Sequence, residues 1–154
     1  MKTPVNITCS IFLVLTLFTA CANQTSTTKT TRSATTGAGE YLVVDTHIDL
    51  PYRLFEDYED VSVSTASGDF DWPRAERGGL DVAFMSVYIP ADLQENGGAR
   101  AHAETLIEIM QSLAVDHPDK FSIVTDTEGA RAAAATGKIG LALGMENGAG
   151  IEDD

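Results

Sequence analysis

Basic residues are scarce in this chain: 10 lysines and arginines stand against 23 aspartates and glutamates, a formal net charge of −13. A surface so acidic repels phosphate, which excludes nucleic acid as a partner and excludes electrostatic docking on anionic lipid. The acidic runs Glu56-Asp57-Tyr58-Glu59-Asp60 and Glu152-Asp153-Asp154 are read as solvated surface without chemistry of their own. Cysteine is scarcer still, with Cys9 and Cys21 alone. Cys9 falls within a leader that export would remove, so the mature chain keeps one thiol and forms no internal disulfide. Its fold must rest on an apolar core or on metal. The apolar run at residues 11–18 is too short for a membrane span, which takes ~20 residues. No internal repeat is evident.

That run is instead the centre of an export signal. Met1-Lys2 gives a weakly positive start, and Thr19-Ala20-Cys21 a small-residue cleavage site. A cysteine directly after small residues resembles the bacterial lipoprotein box, whose cysteine is lipidated and becomes the mature N-terminus. Phe18 departs from the leucine this box prefers, and the plain alternative is a secretory signal with a chance cysteine. Residues 1–20 are read as a lipoprotein signal peptide and Cys21 as the lipidated residue. Ala22, where an aspartate would argue otherwise, favours the outer membrane facing the periplasm. Residues 21–39, rich in Thr and Ser, hold too few apolar groups to collapse and read as a flexible tether. Attachment to the membrane would then be covalent, through the N-terminal lipid.

From residue 40 to 154 the pattern is globular. The apolar run 41–44 reads as a strand covered on both faces, ended by Leu50-Pro51 because proline cannot donate to a ladder. A second strand is expected over 82–89, after the Gly78-Gly79 turn and before Pro90. Apolar residues at Ala103, Leu106, Ile107, Met110, Leu113 and Ala114 keep the three-and-four spacing of an amphipathic helix from about Ala99 to His117. A short strand at 121–124, an N-cap at Asp126 or Thr127, an alanine-rich helix over 128–136 closed by Gly137 and an apolar strand over 139–145 complete the series. Strands alternating with helices predict parallel pairing and an α/β architecture.

Two strand ends carry chemistry. In an extended segment side chains two apart share a face, so His47 and Asp49 point the same way, with Asp45 one step further back. An imidazole and a carboxylate can then reach one metal ion. Glu146 closes the last strand, where a carboxylate is either a ligand or a solvated end residue, and Gly144 and Gly148 permit close approach to it. A His-x-Asp triplet is common by chance in so acidic a chain; its weight comes from the C-terminal strand edge, where catalytic groups of parallel α/β folds collect. The competing role for His47 is a core or capping histidine. His102 and His117 open and close the amphipathic helix and read as a surface residue and a cation near its C-terminus.

Taken together these segments resemble the membrane (renal) dipeptidases, two-zinc metallopeptidases on a TIM-type (β/α)8 barrel. Val44-Asp45-Thr46-His47-Ile48-Asp49-Leu50-Pro51 is similar to the family's opening strand. Phe70-Asp71-Trp72-Pro73-Arg74 through Gly78-Gly79, followed by Phe84-Met85-Ser86-Val87-Tyr88-Ile89-Pro90, resembles its arginine-containing segment and second strand. Gly144-Met145-Glu146-Asn147-Gly148 resembles the strand whose glutamate bridges both metals. The resemblance implies His47 and Asp49 on one zinc and Glu146 on both. It implies dipeptide substrates, attacked at the peptide carbonyl by a hydroxide held between the two zincs. Asn147, where glycine is also common in the family, bears on the surroundings of the site. The histidines expected for the second zinc and the groups that act on substrate are not encoded here.

A whole barrel takes ~250 residues, and residues 41–154 are fewer than half of that, about the first three strands with their helices. The expectation is therefore an N-terminal part of the barrel, with an unpaired edge and half a core, unstable or aggregation-prone and inactive alone. A homodimer is an option for the full-length enzyme. Two rivals stand beside this reading: a short, noncatalytic lipid-anchored envelope binding protein, and another metal hydrolase of the amidohydrolase type, which prefers His-x-His where this chain has His-x-Asp.

Overall fold

Pro51 starts a helix rather than merely ending a strand. In the computed structural model, which describes residues 41–152, β1 (Val44–Ile48) passes through Asp49 directly into α1 (Leu50–Glu56), with Pro51 in the first turn. A proline there loses no hydrogen bond, since the first N–H groups of a helix lack intrahelical partners. The expected signal peptide over 1–20, Cys21 and the tether over 21–39 lie outside the described residues.

A second short helix, α2 (Trp72–Gly78), is capped by Asp71, whose carboxylate accepts from the Arg74 N–H, and is closed by Gly79 at φ 79. That left-handed conformation is where glycine is favoured. Next come β2 (Val82–Val87), α3 (Ala91–Asn96) and α4 (Ala99–Asp116). They are followed by β3 (Phe121–Ile123), α5 (Thr127–Ala135), β4 (Ile139–Met145) and a 3₁₀ turn (Gly148–Ile151). The long helix ends where its sequence says it should, with His117 at the C-cap. Asp126 caps α5 by accepting from the Gly129 N–H.

The strands form one parallel sheet in the order β1-β2-β4-β3. This is the α/β architecture expected, part of a barrel that does not close. Among the described residues it has the four strands read from the sequence, one more than the about three that length alone suggested: the three-residue β3 pairs with Ile139, Gly140 and Leu141 at the outer edge of β4. Asp81, 6% exposed, ties the near end together, its carboxylate accepting from the Val43 N–H at 2.9 Å while its own N–H donates to the Val43 carbonyl.

One face of the sheet is covered by α1 and α4, where Leu50, Leu54, Met85, Met110, Phe121 and Leu141 make the main core. On the other face α5 lays Ala130 and Ala133 over Val82, Val124 and Ala142. Gly140 makes this possible, because a Cβ there would stand 3.0 Å from Val124 Cγ1. Farther along that face Phe84 is 41% exposed. The strand expected to be covered on both faces is not: β1 is an edge strand with β2 as its neighbour, and Val44 is 40% exposed. Of the apolar run 41–44 only Val44 lies in β1, which continues through the polar residues Asp45, Thr46 and His47.

Candidate metal centre

A one-residue bulge shapes the end of β1. Asp45 pairs with Ala83 and Ile48 with Met85, so three steps on β1 match two on β2. The Asp45 carboxylate holds the bulge by accepting from the His47 backbone N–H at 3.0 Å. It does not join His47 and Asp49 as a further donor. Asp49 lies beyond the strand as the N-cap of α1, with φ −81 and ψ 33 and no side-chain capping bond. Its carboxylate is thus left to turn toward His47, and Asp49 Oδ1 stands 3.2 Å from His47 Nε2. The two side chains meet as expected, through a strand-to-helix junction and not through strand alternation.

Glu146 arrives from the other side of β2. Met145 pairs with Val87, and the Glu146 N–H donates to the Val87 carbonyl at 3.2 Å. Its Oε2 lies 3.6 Å from His47 Nε2 and accepts from Ser86 Oγ at 2.7 Å. Ser86, 3% exposed, belongs to the site and has no signature in the sequence beyond being the hydroxyl in an otherwise apolar strand. Asn147 secures the turn that follows. It donates from Nδ2 to the Ile89 carbonyl at 3.1 Å and accepts from the Ala149 N–H at 3.1 Å.

Among the described residues, His47, Asp49 and Glu146 are the one group whose donor atoms all lie close enough to share an ion, within 4.8 Å of one another. Two donors about 2.1 Å from one zinc at the tetrahedral angle would stand about 3.4 Å apart. The observed 3.2 and 3.6 Å bracket that value. One imidazole nitrogen and two carboxylate oxygens suit zinc, and their side chains, 53%, 65% and 36% exposed, are reachable from solvent.

A cleft of ≈ 530 Å³ opens beside the cluster between β1 and the loop that precedes α2, with His47, Asp49, Arg53, Phe70 and Arg74 among its walls. Asp71, 1% exposed, holds this loop. Its carboxylate accepts from the Thr65 N–H at 3.0 Å, the Arg74 N–H at 2.8 Å and Arg74 Nε at 2.7 Å. Burial pushes the Asp71 carboxyl up, but these bonds and the Arg74 charge outweigh it and hold it below the ordinary carboxylate range. Arg74 is spent on the loop, donating also to the Gly68 carbonyl and to Thr65 Oγ1. Arg53 binds Glu59 at 2.9 Å and the Phe70 carbonyl at 3.2 Å. Both arginines therefore build the wall of the cleft.

Two expectations are corrected here. The acidic run at 56–60 is not all solvated surface: Glu59 accepts from Ser67 Oγ at 2.5 Å as well as from Arg53, and Asp60 accepts from the Ser62 N–H at 2.9 Å. The Ser67 hydroxyl and then the Arg53 charge hold Glu59 below its ordinary range. His102 is not at the surface. It is 9% exposed, edge-on to Phe55 with ring centroids 4.7 Å apart, because it lies on the apolar stripe of α4 four residues before Leu106. His117 does sit at the helix end, its Nε2 3.6 Å from Asp60 Oδ1.

The family model for membrane dipeptidases, peptidase family M19, matches residues 32–154. Among solved structures the chain is similar to dipeptidase AC, a metallopeptidase of family M19, at 20% identity and a TM-score of 0.61, over 71% of this chain and 36% of that one. It is similar to a metallopeptidase from Rhodobacter sphaeroides at 16% identity and a TM-score of 0.61, over 71% and 39%. A probable dipeptidase, PvdM, from Pseudomonas aeruginosa matches at 20% identity and a TM-score of 0.60, over 76% and 31%. These likenesses show the shared fold. The chain spans a third or so of the length of each structure, 31% to 39%.

Proposed function

The chain belongs to the membrane dipeptidase family, peptidase family M19, and on that footing we propose that His47, Asp49 and Glu146 are part of the metal centre of a dipeptidase. The observation that carries this reading is their convergence: three donors from the ends of two strands that are not neighbours in the sheet stand at ligand spacing. His47, Asp49 and Glu146 would hold a zinc ion, and the Glu146 carboxylate, with two oxygens, could also serve a second. When bound, the metal supplies Lewis acidity toward a peptide carbonyl and makes water acidic enough to act as a nucleophile.

The chain's own residues do the positioning. Asp45 fixes the backbone of His47, Ser86 holds the Glu146 carboxylate, and the loop organised by Asp71 walls the cleft that opens onto the cluster. Dipeptides are the proposed substrates, a reading supported by the R. sphaeroides relative, whose structure holds a phosphinate mimic of the dipeptide L-Ala-D-Ala. Among the described residues no helix is long and apolar enough to cross a membrane; the proposed anchor is lipid on Cys21, and the proposed location, from Ala22 after it, is the outer membrane.

The test is a calorimetric titration of the full chain with Zn²⁺. Binding that disappears in His47→Ala supports the assignment. Binding of equal strength in that variant would overturn it.

A further inference from the structure

Ser86 carries a burial cost that packing does not explain. A hydroxyl taken from water needs a partner, and Ser86 is 3% exposed in a strand whose other residues are Val82, Ala83, Phe84, Met85 and Val87. Its hydroxyl donates to Glu146 Oε2, sixty residues on in the chain and 2.7 Å away. The ladder explains how they meet. Ser86 pairs with Gly144, two residues before Glu146, so both side chains rise from one face of the sheet, and Gly144 puts no side chain between them.

The bond selects an oxygen. The last torsion of a glutamate is broad and roughly two-fold, so a carboxylate at a strand mouth has no reason of its own to present one oxygen. Here Oε2 takes the serine hydrogen and is also the oxygen 3.6 Å from His47 Nε2. Accepting one hydrogen bond leaves Oε2 a further lone pair and leaves Oε1 entirely free.

We infer that Ser86 is a positioning residue of the metal centre: its hydroxyl holds the Glu146 carboxylate in the orientation that completes the set with His47 and Asp49, and so raises affinity for a divalent cation. This deepens the metal-centre reading and rests on it. A serine that was merely a satisfied core hydroxyl would affect folding and leave metal affinity alone.

Zn²⁺ titration of the full chain separates the two, using the parent, Ser86→Ala and Ser86→Thr, with Glu146→Gln as reference and circular dichroism to verify folding. Removing a group that orients a ligand weakens metal binding by roughly 10–100-fold, and Ser86→Ala is expected in that range. Ser86→Thr, which keeps the hydroxyl, restores the parent's affinity. Visible absorption of bound Co²⁺ should shift in the alanine variant and return in the threonine variant. If alanine prevents folding, Ser86→Val, which has the shape of threonine without its hydroxyl, must bind Zn²⁺ more weakly than Ser86→Thr. A folded Ser86→Ala chain with the parent's affinity, or a folded Ser86→Val chain with that of Ser86→Thr, removes the positioning role and leaves the centre standing. A parent chain that binds no Zn²⁺ removes both.

Discussion

Glu146 Oε2 stands 3.6 Å from His47 Nε2 although the two residues close strands that do not touch in the sheet. β2 runs between them and contributes Ser86 beneath the gap. The Asp49 and Glu146 carboxylates that flank this imidazole repel one another, and a cation shared among the three groups makes their convergence favourable.

Asp49 and Asp45 are both within two residues of His47, and their roles separate experimentally. Asp49→Ala removes a donor and should weaken Zn²⁺ binding by more than the ~10–100-fold expected of a group that only orients a ligand. Asp45→Asn keeps an oxygen for the His47 N–H and should leave the affinity close to the parent's. Calorimetry on both variants decides it; equal losses would place Asp45 among the ligands.

The Asp71 carboxyl predicts an acid limit to stability. Its pKa is lowered in the folded chain, so the stabilisation it gives is fully present above its unfolded value of about 3.9 and is lost as pH falls through the lower folded value. Asp71→Ala removes a helix cap worth about 0.5–2 kcal/mol and leaves the Thr65 and Arg74 N–H groups without their acceptor. Urea unfolding between neutral and strongly acid pH should show the variant less stable at neutrality, with a smaller loss on acidification. An unchanged acid slope would refute the assignment.

Packing makes a graded prediction along α4. Leu106 is fully buried, and Leu106→Ala should lower stability by about 2–5 kcal/mol. Val115 on the same helix is 74% exposed, and Val115→Ala should fall within about 0.5 kcal/mol of the parent. Denaturant midpoints of the two variants give the comparison.

The edge strand should make the 154-residue chain associate as concentration rises. β1 has β2 on one side, and Val43 and Val44 are 36% and 40% exposed. Lysine on an edge strand discourages pairing with another chain, so Val44→Lys should shift sedimentation toward the monomer. No change would mean that association, if seen, uses another surface.

Much of this was legible because local signals and tertiary packing agreed. In α4 the spacing of Ala103, Leu106, Met110 and Leu113 marks the buried face, and His117-Pro118 ends the helix. β4 shows itself as an unbroken apolar run closed by Glu146, and Asp126 as a cap. The short helices were not legible: α1, α2 and α3 have 7, 7 and 6 residues, too few for a period to declare itself. Pro51 is compatible with a strand end and with a helix start alike. His102 could have been read as buried, since it extends the stripe of α4, but its polarity argued against the stripe. Ser86 could not be found before the β2–β4 register was known, because what it does depends on a residue sixty positions away.

The strand order has a mechanical consequence. With β2 sandwiched between the strands that deliver His47 and Glu146, an ion gripped by those side chains would rivet β1 to β4 across the top of their common neighbour. Stabilisation by a ligand that binds only the folded chain grows with its concentration, and here it would fall on an edge strand, paired by its backbone on one side. Amide hydrogens of β1 should therefore exchange with solvent more slowly once Zn²⁺ is added, and those of α5, packed over Val82 and Ala142 and away from the strand ends that would hold the ion, should scarcely notice.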